Sequence, residues 1–428
     1  MKHFLWAGSA VGLFIIAFII INGQKIGPAE IGPAGRGDGS AIPNGAGERE
    51  SAKKEAYATP EEGGDNLNVV WSGGKCEGSG SVAFGTLPMK AEDFSMYLPY
   101  GMLADAHVTP IDHGYFSPMV FDSLRDTYEV RAIADGAIVR IGTRNKFVGD
   151  QNHNQTRPVE YRLDIEHTCT VYSYFDLVTS LVPDIKAALD QAGGENFFGR
   201  IPIKEGQLIG RIGGQTLDFG VYNNDVRLGG FINPESYYGE PWKIHTDDPY
   251  KYFKEPAKSI LLAKNPRHAE PRGGRIDYDI SGKAVGNWFV EGTNGYKGVS
   301  QDRYWDGHLA LVYDFLDPTQ IRFSIGNFGG KAKQFGVKNN APDPATVDTS
   351  TGLVRYELTQ SLYVDKKTGQ GWRMMNAAGD IAGVNAEFVE GTALVQMIED
   401  GRLKAEVFPG KKAAQVSGFT EKARVFER

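Results

Sequence analysis

His107, Asp112 and His113 stand within seven residues, in the order His107-Val-Thr-Pro-Ile-Asp112-His113. Imidazoles and carboxylates at such short spacing are the side chains that ligate metals and move protons. The same three residues in a loop also satisfy backbone groups at the edge of a domain, which is the purely structural alternative. Cys76 and Cys169 are the two cysteines of the chain, and neither belongs to a CxxC pair. That spacing excludes a zinc ribbon and a thioredoxin-like site. It leaves open one disulfide, if the body is exported, or two buried thiols. A further concentration is aromatic: Tyr237, Tyr238, Trp242, Tyr250, Tyr252 and Phe253 fall in one proline-containing stretch. Such rings stack on sugars, but their large apolar area also joins domains, and that second role is the one expected.

A mainly β body must position these groups. The chain has 428 residues, too many for one ordinary core. Hydrophobic residues at 41% and charged residues at 23% are the balance of a chain that folds over most of its length. The 54 glycines sit largely in turn contexts between short β-rich runs. A net charge of −7 offers no basic stripe and argues against nucleic acid as a partner.

Residues 4–21 are uncharged and mostly apolar. As a helix they reach roughly 27 Å, close to the hydrocarbon thickness of a bilayer. Residues 1–22 are therefore read as a single-pass transmembrane anchor. A cleaved signal peptide fits less well, because the run exceeds the usual apolar core and no small-x-small site follows it. Residues 23–66 carry glycine, proline and charge with almost no large apolar residue, the composition of a flexible linker. The expected folded units are a β domain over 67–235, an aromatic connector over 236–270 and a second β domain over 271–428. In the first, β runs are expected at 128–134, 137–142, 159–165, 169–175, 208–212 and 217–222. Asp135-Gly136 should act as a hairpin turn between the first two, and a helix is expected at 183–192.

The segments Val130-Arg-Ala-Ile-Ala-Asp-Gly-Ala-Ile-Val139, Tyr161-Arg-Leu-Asp-Ile-Glu-His167, Thr170-Val-Tyr-Ser-Tyr174 and Lys204-Glu-Gly-Gln-Leu-Ile-Gly210 follow in an order that resembles the lysostaphin-type zinc endopeptidases. The resemblance covers roughly residues 105–225. It implies a duplicated-hybrid-motif β-sandwich, and an ancestry among enzymes that cut peptide bridges in bacterial cell walls. That family uses a histidine and an aspartate spaced four apart, then tyrosine-x-histidine, then histidine-x-histidine. Here Asp112 follows His107 by five residues, Tyr174 replaces the second catalytic histidine, and Thr216-Leu-Asp218 replaces both terminal ones. Zinc hydrolysis needs about three ligands, an open position for water and a base to take its proton. Threonine is no base near neutral pH and tyrosine is a poor one. The metal candidates that remain are His107, Asp112, His113 and Asp218, a harder and less zinc-selective set. His167, beside a strand, is expected to be a hydrogen-bonded structural residue.

In the last 155 residues or so, strands are expected at 276–280, 285–291, 309–313, 321–325, 353–358, 392–399, 402–408 and 423–426. Asp400-Gly401 should close a two-residue hairpin. About eight short antiparallel strands suggest a closed barrel. Gly286-Asn287-Trp288 resembles the glycine-x-tryptophan of lipocalin-like barrels, with Arg424 expected to cover the tryptophan. The resemblance implies a small apolar ligand near Trp288 and Arg424, or a purely structural module.

Together these features describe a membrane-tethered envelope protein with its body on the extracytoplasmic side. Its peptidase-like domain is expected to be non-catalytic and to bind cell-wall glycan, peptide or an envelope partner protein, without a cofactor. The alternative is a zinc-dependent cell-wall metalloendopeptidase with altered ligands. The mature protein should keep its N-terminus and fractionate with membranes. Recovery of a soluble form beginning after Asn22 would identify a cleaved signal instead.

Overall fold

The computed structural model of the protein describes residues 65–144, 159–373 and 378–428. The apolar run at 4–21 and nearly all of the 23–66 segment lie outside the described residues. Among those described, no helix is long and apolar enough to cross a membrane.

Ten strands build the first body: β1 (Phe94–Leu98), β2 (Gly114–Pro118), β3 (Tyr128–Arg131), β4 (Gly136–Arg144), β5 (Glu160–Glu166), β6 (Val171–Val178), β7 (Ser180–Leu181), β8 (Asn196–Ile203), β9 (Leu208–Ile212) and β10 (Leu217–Asn223). They form a seven-stranded sheet in the order β1-β2-β10-β6-β5-β4-β8 and a three-stranded sheet in the order β3-β9-β7. All pairings are antiparallel. Val130, Ile209 and Ile212 of the small sheet share a core with Ile138, Leu163, Ile165, Phe175 and Phe219 of the large one. Side chains alternate across a strand. In β6, Val171 and Phe175 therefore enter that core, while Tyr172 and Tyr174 join a separate cluster on the opposite face.

Asp135-Gly136 does not close the expected hairpin. β3 pairs with β9 and β4 pairs with β5 and β8, so the turn carries the chain from one sheet to the other. The Asp135 carboxylate is held by the Glu205 N–H (2.9 Å) and the Lys204 ammonium (2.8 Å). Glycine is required at 136, because a Cβ there would stand 2.5 Å from the Glu166 carbonyl oxygen.

Three short helices flank the sheets: α1 (Leu67–Ser72), α2 (Pro183–Gln191) and α3 (Ala257–Ala263). Asn66 caps α1, its side chain accepting from the Asn68 N–H, and Trp71 of α1 is buried. A disulfide joins Cys76, just past α1, to Cys169 in the β5–β6 turn.

The second body comprises β11 (Gly286–Val290), β12 (His308–Tyr313), β13 (Ile321–Phe328), β14 (Lys331–Val337), β15 (Val354–Asp365), β16 (Gly371–Trp372), β17 (Ile381–Glu399), β18 (Arg402–Pro409) and β19 (Arg424–Glu427). Eight of these close into an antiparallel barrel, β14-β13-β12-β11-β19-β18-β17-β15, sealed where Gly336 and Val337 pair with Thr359 and Leu358. Closure leaves no free sheet edge in the ring. Asp400-Gly401 closes the β17–β18 hairpin, with Glu399 opposite Arg402. The membership of the ring differs from expectation at one strand. Residues 276–280 form no strand: Ile276 and Tyr278 pack into apolar clusters at the junction of the two bodies. The eighth strand is β14, whose polar start hides its inward Phe335 and Val337.

Trp288 is fully buried in the barrel core, and its indole N–H donates to the Ala284 carbonyl at 2.9 Å. The guanidinium over its ring belongs to Arg428, 4.0 Å from the ring centroid. Arg424, expected there, is exposed and donates to the Asp306 carbonyl at 3.4 Å. Arg428, just past β19, turns back to donate to the carbonyls of Val285, Ile280 and Lys283, which places it beneath the tryptophan.

The two bodies share apolar clusters. Met96, Leu98 and Tyr115 pack with Phe315, Leu316 and Trp372, and Tyr100, Tyr237 and Ile244 pack with Ile276, Phe289 and Tyr296. Between the bodies, Asp248 caps a single turn at Pro249–Lys251 by accepting from the Tyr250 N–H.

Replacing Trp288 with alanine should cost about 3–5 kcal/mol, the range for a large core truncation. A urea-unfolding midpoint of the full-length protein that does not move would show that the ring contributes nothing to the core.

Candidate functional site

The face of the seven-stranded sheet turned away from the apolar core carries charge and aromatic rings. Alternation puts Arg162 and Asp164 of β5, Tyr172, Tyr174 and Asp176 of β6, and Asp218 and Tyr222 of β10 on that side. Three segments cover it. The loop before β2 brings Asp112 and His113, α1 brings Trp71, and a 3-10 turn at Pro241–His245 brings Trp242 and Lys243. All of these side chains are largely buried.

Tyr174 stacks on Tyr222 with ring centroids 5.8 Å apart and planes 13° apart. Gly220 makes room for the stack, since a Cβ there would meet a Tyr174 ring carbon at 2.7 Å. The Arg162 guanidinium covers Tyr174 from 3.8 Å. Arg162 also donates to Asp164 at 2.8 Å, and Arg144 donates to Asp176 at 2.7 Å.

At the other end of this layer, Lys243 Nζ donates to Asp112 Oδ1 at 2.8 Å and the Tyr222 hydroxyl donates to Asp112 Oδ2 at 2.8 Å. His113 lies between two carboxylates, its Nδ1 3.3 Å from Asp112 and its Nε2 3.6 Å from Asp218. The His107 ring is 6.1 Å from that of His113. The Thr216 hydroxyl donates to Asp218 at 3.4 Å. The fold therefore gathers His107, Asp112, His113, Tyr174, Thr216 and Asp218 into one neighbourhood. Trp288 and Arg424 belong to the barrel, away from it. His167 bonds the Asp135 carbonyl and the Ser173 hydroxyl, a structural arrangement.

Burial disfavours every charge here, so the partners decide each state. Burial works to raise the Asp112 carboxyl, but Lys243 and His113 outweigh it and hold the group well below the usual carboxylate range. At Asp218 the balance is reversed: burial, reinforced by Asp176, outweighs Arg144 and Arg162 and pushes it well above that range. Burial likewise lifts the Tyr174 phenol well above its ordinary value, so it is no base at neutral pH. Burial, with help from His113 and Lys243, lowers His107 to about 3.

This donor set does not fit a zinc ion. His113 stands between Asp112 and Asp218 rather than beside them, and both oxygens of Asp112 already carry a partner. Among the described residues, no group of three or more His, Cys, Asp or Glu side chains converges closely enough to hold a metal. What the arrangement provides is a fixed layer of paired charges.

Sequence reasoning missed Lys243, Tyr222, Arg162, Arg144 and Asp176. The visible signal was the i, i+2 spacing of Arg162 with Asp164 and of Tyr172, Tyr174 and Asp176, which puts each set on one strand face. No local feature marks Lys243, because its partner lies 131 residues away.

No family model and no curated protein matches the chain. Among solved structures, Helicobacter pylori Csd3 in a hexagonal crystal is 19% identical, over 34% of this chain and 31% of that one, with a TM-score of 0.20. The orthorhombic crystal of Csd3 gives 18% identity and a TM-score of 0.22. The solution structure of lysostaphin is 12% identical, over 71% of this chain and 100% of that one, with a TM-score of 0.22. The chain thus matches about a third of the length of Csd3. Likeness at these TM-scores assigns neither fold nor activity to this chain.

Acid should weaken the protein through its buried histidines. Burial lowers His308, whose Nε2–H donates to the Tyr296 carbonyl at 3.0 Å, to about 3. The unfolded chain takes up that proton as pH falls through about 6.5, whereas the folded chain resists until about 3. The stabilising contribution is complete above pH 6.5 and declines below it, by up to about 1.4 kcal/mol per pH unit. Urea unfolding of His308→Gln between pH 4.5 and 7 should show a slope shallower by up to one proton. An unchanged slope would mean that His308 titrates in the folded protein as it does in water.

Proposed function

We propose that this chain is a membrane-tethered cell-envelope protein whose peptidase-like body is a pseudo-enzyme, a non-catalytic module that binds a cell-wall polymer or an envelope partner protein. The observation that carries the proposal is the buried ion pair of Lys243 with Asp112, at 2.8 Å. The carboxylate of the first peptidase-like motif is committed to a lysine. Tyr174 and Thr216 stand where the resembled family keeps imidazoles, so neither of those positions supplies a near-neutral base. The Cys76–Cys169 disulfide supports a body in an oxidising, extracytoplasmic compartment. The apolar run at 4–21 supplies the tether. With the motif-bearing face of the sheet covered, binding falls to the outer surfaces of the two bodies.

Loss of a general base alone typically costs about a hundred- to ten-thousand-fold in rate. The purified full-length protein should therefore leave oligoglycine and wall peptides intact, while sedimenting with cell-wall sacculi or with a cross-linked envelope protein. Chelator-sensitive cleavage by the unmodified protein would defeat the proposal and return attention to His107, Asp112, His113 and Asp218 as metal ligands.

A further inference from the structure

We infer that Lys243 is a built-in cation: its ammonium neutralises Asp112 where a peptidase-like centre would use a metal ion, and it fastens the connector and the barrel onto the sheet. The inference rests on reading the site as non-catalytic and extends that reading to how the site is held together.

Three parts of the chain meet at the ammonium. Asp112, from the loop before β2, accepts at 2.8 Å. Glu240, from the connector itself, stands at 3.2 Å. The Tyr296 ring, from the segment between β11 and β12, presents its face 4.7 Å away. Lys243 is 4% exposed, so water supplies little of its solvation and these three groups supply the rest. Asp112 is equally dependent. Among the described residues its other side-chain partners are the Tyr222 hydroxyl and His113, and neither brings a permanent positive charge. A buried carboxylate that loses its only cation is strongly destabilising, whereas removing both members of the pair costs much less.

A metal ion in this position would arrive from solution and leave with a chelator. A lysine is part of the chain, so the arrangement holds at any metal concentration. It also couples covering to neutralisation: the turn at Pro241–His245 that shields the sheet face with Trp242 is the one that delivers the charge.

The test uses the full-length protein in detergent and reads the thermal midpoint of wild type, Lys243→Met, Asp112→Asn and the double variant, each with and without chelator and with added zinc. Wild type should hold its midpoint within about 1 °C under chelator or zinc, and Lys243→Met should lose about 4–7 °C. Adding Asp112→Asn to Lys243→Met should recover at least about half of that loss, because the stranded anion is gone. If Lys243→Met is insoluble, recovery of soluble protein in the double variant supports the inference and continued insolubility overturns it. Additive losses in the two single variants would also overturn it, as would a wild-type midpoint that falls with chelator. The pseudo-enzyme proposal fails separately, on peptide cleavage, so the two outcomes cannot be confused.

Discussion

The buried contact between Lys243 and Asp112 decides how the polar face of the seven-stranded sheet is covered. A sheet in a sandwich ordinarily hides one face and wets the other. Here the first face packs on the three-stranded sheet, and the second, rich in arginine, aspartate and tyrosine, is also enclosed. Enclosure is tolerable only when each charge meets its opposite. Arg162 meets Asp164, Arg144 meets Asp176, and Lys243 meets Asp112. Around Asp218, burial and the neighbouring Asp176 outweigh the Arg144 and Arg162 guanidiniums, and its carboxyl is pushed well above the usual range.

The covering layer also packs the two bodies against each other. Trp71, Trp242 and Tyr222 meet edge to face or at a tilt over the sheet. The connector continues directly into the aromatic cluster of Tyr237, Phe289 and Tyr296 at the foot of the barrel. Rings of this size contribute most of the apolar area at such a junction. The apolar side of the junction, from Met96 to Trp372, adds a second patch. The same elements that close the site therefore also fix the barrel against the sandwich.

Much of this was legible in the chain. Apolar alternation gave β4, β5, β6, β9 and β10 nearly to their ends, and the eight-strand count of the barrel was right. Two kinds of feature were not legible. The first was strand identity where polar residues dominate: β14 begins Lys-Ala-Lys-Gln and reads as a loop, while 276–280 alternates like a strand but packs Ile276 and Tyr278 at the junction and leaves Ile280 exposed. Side-chain pattern reports burial, and burial against another body looks the same as burial within a sheet. The second was long-range pairing. Local order marks the motif residues His107, Asp112, His113, Tyr174, Thr216 and Asp218, but the lysine that completes their environment lies in the connector, where only the fold brings it near. The Trp288 partner was displaced by four residues for a similar reason, since Arg428 reaches the ring by turning back past the end of its strand.

The pairing of β11 with β19 puts the first and last strands of the barrel side by side. The chain enters the ring and leaves it at neighbouring strands, and the Arg428 side chain spans from the exit to the carbonyls of Ile280, Lys283 and Val285 at the entrance. Entry and exit that sit side by side are the geometry from which a domain can be inserted into a host loop, or re-joined end to end and cut open elsewhere, with little disturbance of its interior. In topological terms the ring begins and ends at one seam, between β11 and β19.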